Sequence, residues 1–142
     1  KQDNGADYIM TQLCWDMDQF RYWLDAIRAA GIWLPVDVGI MPILDQAATI
    51  NMALSRNGCV MPRKLCEIIS KHWIFPNPFE KEPFDANVAQ KKADFKEAGI
   101  EYTINQIDEY RACGIDGIHL YALNKYDDVA RIAKESGLID LI

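Results

Sequence analysis

No stretch of this 142-residue sequence approaches the ~20 consecutive apolar residues that a membrane-spanning helix needs. No secretory leader pattern opens it, so a cytoplasmic chain without a membrane partner is expected. Histidine is scarce: His72 and His119 are the only two, and neither stands at ligand spacing from a cysteine, so no metal site is expected. The four cysteines (Cys14, Cys59, Cys66, Cys113) lie far apart and form no C-x-x-C pair. That predicts buried thiols in a reducing compartment rather than a disulfide frame. A basic stripe is missing too. The 15 lysines and arginines are scattered and the net charge is −6, which repels phosphate backbones and argues against a nucleic-acid partner.

What is present is the composition of a globular protein, half apolar and a quarter charged. Three stretches read alike, as a glycine-closed helix end, a short apolar strand and a polar turn. They are Gly5 followed by residues 8–13, Gly31 followed by 32–40, and Gly114 followed by 117–123. Their largely apolar character, rather than clean alternation, suits parallel strands covered on both faces. Residues 1–5 read as the tail of a preceding helix, so a fragment or processed chain is expected.

Helices fill the intervals. Asp16 with Gln19 has capping-box spacing, Phe20, Trp23, Leu24 and Ile27 form one apolar stripe, and Gly31 stops the helix. Asp45 is expected to cap a second helix carrying Ile50, Met52 and Leu54 and ending at Asn57-Gly58. Pro62 suits the first position of a helix over 61–71, with Leu65, Ile68 and Ile69 inward. Residues 72–84, with three prolines and four aromatics, read as a loop insertion. Asp85 is expected to cap a long helix to about Cys113, with Phe95, Ile104, Ile107 and Tyr110 inward and Gly99 at a kink or close contact. Asp127 or Asp128 begins a last helix that stops near Gly137. The order β-α, β-α-α-α, β-α predicts an α/β fold with a parallel sheet and right-handed crossovers. Either an open doubly wound sheet or part of a (β/α)8 barrel would satisfy it, and a whole barrel takes about 250 residues.

The motifs "GADYIMTQLCWDMDQF", "VDVGIMPI" and "GIHLYALN" resemble the last three strands of the methylenetetrahydrofolate reductases, flavin-dependent barrel enzymes of one-carbon metabolism and methionine biosynthesis. The resemblance covers nearly the whole chain, with extra length near residues 72–90. It implies one partial domain over residues 1–142, the C-terminal portion (about strands 6 to 8 with their helices) of a TIM barrel. The implied oxidoreductase reaction takes hydride from NADH or NADPH through FAD to 5,10-methylenetetrahydrofolate. Implied partners are that folate, the N-terminal half of the barrel and further copies of the enzyme. A segment of this kind is expected to be inactive alone, because the family's strand-one glutamate, strand-four aspartate and most FAD-binding residues lie outside it.

The resemblance also implies site residues. Gln12 matches the family's strand-six glutamine, which hydrogen-bonds the folate; a carboxamide is both donor and acceptor and carries no charge to disturb a flavin. A glutamine satisfied by backbone is the plain alternative. Tyr121 matches a tyrosine lining the folate site, or else simply packs. Lys125 stands where many members have an arginine on the folate's glutamate tail; lysine keeps the charge and loses the bidentate fork. Met52 falls where a member has an aromatic against the ligands, although a helical core methionine is the preferred reading. Lys1 matches a basic residue facing the flavin phosphates. His119 reads as a hydrogen-bonded core histidine and Asp16 as a helix cap. Leu13-Cys14-Trp15 and Val38 depart from the family's aromatic run and its proline, which marks a divergent branch. Two competing functions are a pterin-binding methyltransferase barrel and a non-catalytic half-barrel assembly subunit.

Overall fold

The computed structural model describes residues 2–76, 79, 81 and 85–139. Three strands, β1 (Ile9–Met10), β2 (Val36–Ile40) and β3 (Gly117–Leu120), form a parallel sheet in the order β1-β2-β3. Helix α1 (Met17–Ala29) connects β1 to β2. Helices α2 (Gln46–Leu54), α3 (Arg63–Lys71) and α4 (Val88–Ala112) connect β2 to β3, and α5 (Tyr126–Glu135) follows. The expected alternation and parallel pairing are therefore both present.

The strands are shorter than the sequence predicts, for a visible reason. Residues 32–34 leave the sheet because the Arg28 guanidinium donates to the carbonyls of Ile32 (2.8 Å) and Leu34 (3.0 Å), and Pro35, with no N–H to offer, joins only through its carbonyl, which accepts the Ile9 N–H at 2.8 Å. After Met10, only the Thr11 N–H continues the ladder, to Asp37 O at 2.9 Å. Past Leu120, the Tyr121 N–H reaches Ile40 O at 2.9 Å before the chain turns.

Successive strand residues point to opposite faces. Val36, Val38 and Ile40 meet Phe20 and Leu24 of α1, Ile100, Ile107 and Tyr110 of α4 and Ile132 of α5 in the main core. A second core joins Leu13, Trp15, Ile43, Leu65, Ile69 and Phe95 beyond the C-terminal ends of the strands. Helix α4 contributes to both. Its Gly99 allows the close approach: a Cβ there would stand 1.9 Å from the Ile43 carbonyl oxygen. This is the contact expected at that glycine, without a break in the helix.

Asp16, Asp45 and Gly31 follow the expected chemistry, whereas Pro62 is the N-cap of α3 rather than its first residue and α5 starts at Tyr126, ahead of Asp127 and Asp128. Asp16 accepts from the N–H groups of Asp18 and Gln19, and Asp45 from that of Ala48, satisfying donors that a helix start leaves open. Gly31, at φ +77°, ends the first helix, since that conformation strains any residue with a Cβ. Asp85 does not cap α4. Its carboxylate is taken by Lys91 Nζ (2.8 Å) and the Phe75 N–H (3.3 Å), and the helix begins three residues later at Val88. Helix α2 ends at Leu54, short of the expected Asn57-Gly58 stop, which leaves Leu54 78% exposed, while Ile50, Met52 and Ala53 reach the second core. Of the Pro/aromatic insertion, residues 77, 78, 80 and 82–84 lie outside the described residues; Trp73 and Phe75 are exposed. Among the described residues, no helix is long and apolar enough to cross a membrane.

Candidate functional site

The C-terminal ends of the three strands converge on Thr11, Gly39 and Tyr121. Thr11 Oγ1 accepts the Gly39 N–H at 3.1 Å, and the Tyr121 hydroxyl donates to the Thr11 carbonyl at 3.4 Å. Gly39 leaves the space in which this occurs. A Cβ there would stand 2.7 Å from Tyr121 Cε2 and 2.8 Å from the Thr11 oxygen, so any side chain would expel the tyrosine ring. One hydroxyl, one absent side chain and one phenol thus tie the strand ends together.

Gln12 projects from this junction. It is exposed rather than buried, although its oxygen is held by backbone. Its Oε1 accepts the Leu13 N–H at 3.0 Å; among the described residues no acceptor meets its Nε2. The carboxamide lines a groove of about 350 Å³ with Met10, Thr11, Trp23, Asn57 and Gly58. It can donate from Nε2 to a ligand in that groove while its oxygen stays fixed.

The backbone just after Gln12 is held from α4. Tyr110 Oη and Gln106 Nε2 (3.0 Å) both donate to the Cys14 carbonyl, and Tyr102 Oη donates to the Trp15 carbonyl at 3.3 Å. Burial raises the Tyr102 and Tyr110 hydroxyls far above the ordinary phenol range, keeping them protonated donors. Burial also pushes the Cys14 thiol up and the Cys59 thiol to about 11. The sequence analysis missed this set. Its signal was Tyr102, Gln106 and Tyr110 at four-residue intervals, which places polar tips along one stripe of a helix.

The other expected site residues fall as follows. Tyr121 belongs to the junction and also packs on the second core, edge-on to His119 with ring centroids 4.7 Å apart. His119 is exposed, contrary to the expected core position, because its strand register turns it to the face opposite the main core. Met52 is half-buried against the second core, with Asn57 Nδ2 donating to its sulfur at 2.9 Å. It reaches the Gln12 groove only through Asn57. Lys125 is exposed at the N-cap of α5, after two left-handed residues, Leu123 (φ 40°) and Asn124 (φ 65°). No hydrogen bond joins Lys125 or Met52 to Gln12 among the described residues. Lys1 lies outside the described residues. All four cysteines are free thiols, three of them half-buried and Cys66 exposed, so complete burial is not their common property.

The rim offers an amide, a phenol and one ammonium group. Among the described residues it does not assemble the paired cations or run of free backbone N–H groups that a flavin pyrophosphate would require. The donor set suits the polar edge of a small heterocycle better.

The family described as methylenetetrahydrofolate reductase matches residues 1–137. Methylenetetrahydrofolate reductase 1 of Schizosaccharomyces pombe is 31% identical over 140 residues, covering 99% of this chain and 20% of that protein. Methylenetetrahydrofolate reductase (NADH) 1 of Arabidopsis thaliana is 32% identical over 140 residues, 99% of this chain and 21% of its own. The probable methylenetetrahydrofolate reductase (NADPH) of Caenorhabditis elegans is 29% identical over 139 residues, 97% of this chain and 18% of its own. The chain spans about a fifth of the length of the curated relatives it matches.

Proposed function

The chain belongs to the methylenetetrahydrofolate reductase family, and from that premise we propose that it is the folate-facing part of a barrel that reduces 5,10-methylenetetrahydrofolate to 5-methyltetrahydrofolate. Its three parallel strands and flanking helices fit the sixth to eighth βα units of a (β/α)8 barrel, in which active sites gather at the C-terminal ends of strands. Gln12 stands at such an end. The observation that carries the reading is its carboxamide, with the oxygen fixed by Leu13 N–H and the Nε2 donor turned to an open groove.

In this reading Gln12 orients the pterin edge, Tyr121 closes the floor over Gly39, and Lys125 meets the negative charge of the folate tail through solvent-exposed contact. Asn57 and Met52 support the groove's far side. FAD, supplied with hydride by NADH or NADPH, is the electron carrier of the complete enzyme; the residues described here do not form its cradle, and no step is routed through it. The complete protein joins this segment to the rest of the barrel and acts in the cytoplasm. Family membership sets the methyltransferase alternative aside.

The test is Gln12→Glu in the intact enzyme. A carboxylate keeps the size and loses the donor, so a hydrogen bond worth about 2–3 kcal/mol is replaced by repulsion between acceptors. The folate half-reaction should slow by roughly 30- to 150-fold while bound flavin absorbance is unchanged. Wild-type half-reaction rates would remove Gln12 from the site.

A further inference from the structure

Strand alternation that sends Val36, Val38 and Ile40 into the helices sends Asp37 to the opposite face of the sheet. On that face β1 offers Met10, 48% exposed, and β3 offers Gly117 and His119. Asp37 Oδ1 is shut off from solvent, and among the described residues it meets no hydrogen-bond donor. Gly117 is what lets it tuck in: a Cβ at that position would stand 3.2 Å from Oδ1. The neighbouring Asp116 cannot help, since its carboxylate accepts the Val36 N–H at 2.8 Å and adds a second negative charge.

A carboxylate oxygen taken out of water without a donor costs free energy until a partner reaches it, and buried polar atoms in folded proteins are nearly always partnered. A neutral donor satisfies one lone pair but leaves the charge uncompensated. The titratable groups around Asp37 are Asp116 just ahead of β3, His119 on β3 and, by alternation, Tyr8 ahead of β1. Of these only His119 can become a cation, and its ring is exposed and set against Tyr121. The chain covers 20% of its Schizosaccharomyces pombe relative, so most of such a protein lies outside this segment and is available to cover the face.

We propose that this face receives the remaining wall of the barrel and that the wall brings a lysine or arginine side chain onto Asp37. The proposal rests on the barrel reading above and adds to it the charge of the docking partner. Closing the barrel would then be electrostatically selective. The uncompensated charge of Asp37 favours a wall carrying a cation at that depth and penalises one carrying a carboxylate there.

In the intact protein, Asp37→Leu and Asp37→Asn are compared with wild type by thermal unfolding across pH, and the structure of the intact protein is determined. A paired Asp37 gives both variants a lower Tm near neutrality, by roughly 10 °C, because each leaves a buried cation without its counter-charge. A cation holds the folded carboxyl below the ordinary carboxylate range. The stabilisation is then present above that range and lost as pH falls through the depressed value, so the gap to wild type closes in acid. The structure should place a lysine or arginine nitrogen within about 4 Å of the Asp37 carboxylate. Asp37→Leu unfolding at or above the wild-type Tm at every pH overturns the proposal. So does an Asp37→Asn variant that unfolds above wild type by a margin that widens as pH rises, the mark of a carboxyl buried in its neutral form. Should Asp37→Leu fail to fold, the Asp37→Asn series carries the comparison. The structure separates the two levels: a face left open or covered by helices refutes the barrel, whereas barrel strands that meet Asp37 with water or a neutral donor alone refute only the cation.

Discussion

The Cys14 carbonyl accepts from two buried side chains of α4, Gln106 (3% exposed) and Tyr110 (0%), and this makes the pair non-additive in a calculable way. Gln106→Leu removes one donor and keeps most of the volume, leaving Tyr110 to satisfy the oxygen, so it should cost about 1 kcal/mol. Tyr110→Phe removes the other at the same cost of about 1 kcal/mol. The double variant leaves the oxygen with neither donor and adds its desolvation penalty of about 1–3 kcal/mol. Its total loss should therefore be about 3–5 kcal/mol where simple addition gives about 2. Tyr102→Phe is the control, because Tyr102 serves the Trp15 carbonyl instead; with Gln106→Leu it should add without coupling. Urea unfolding of the intact protein and its three single and two double variants measures these terms, and under the proposed function KM for the folate follows the placement of Gln12. A Gln106–Tyr110 coupling below about 0.5 kcal/mol, within the usual scatter of additivity, would refute the shared-acceptor reasoning.

Two further outcomes follow from single residues. Gly99→Ala would place a methyl group 1.9 Å from the Ile43 backbone oxygen and drive α4 off the loop after β2, with the Thr103 Oγ1 contact to Ile43 N–H (3.1 Å) lost as well. A loss beyond about 4 kcal/mol is expected in thermal or urea unfolding, and a near-wild-type variant would contradict the close approach. Cys59, whose thiol burial raises from 9.0 to about 11, should alkylate much more slowly with iodoacetamide at pH 8 than exposed Cys66. Because the folded state prefers the neutral thiol, its stabilisation is complete below pH 9 and is lost as pH rises through about 11. Cys59→Ala should flatten that part of the alkaline unfolding profile.

What could be read from the sequence was what local chemistry determines. Asp16 and Asp45 cap because a short carboxylate before a helical stripe has N–H groups to accept, and Gly31 stops because it alone takes φ +77° without strain. Strand order followed from three similar apolar stretches separated by helices. Gln12 was legible as a polar interruption at a strand end, and family motifs raised it to the first residue to mutate. Contacts between distant segments were not legible. Nothing in "ANVAQKK" shows that Asp85 is claimed by Lys91 and the Phe75 backbone before α4 begins. The exposure of His119 depends on which face of β3 the register selects, and a single-residue shift would reverse it. The donors on α4 looked like core and surface positions, because their acceptors are carbonyls, which every residue has.

Those acceptors have a further consequence in time. The Gln106 bond to Cys14 spans 92 residues of chain, and the Tyr110 bond spans 96. At a synthesis rate of about 5–20 residues per second, the segment bearing Gln12 leaves the ribosome roughly 5–20 s before the helix that anchors it. For that interval its strand end has neither donors nor, with β3 unmade, the Tyr121 hydroxyl. The nascent chain can anchor the loop after Gln12 only once residues up to Tyr110 have emerged, and gains the Tyr121 contact only after that. A ribosome pause or truncation ahead of Gln106 would leave the loop after Gln12 unanchored while the first helix and its cap are already formed.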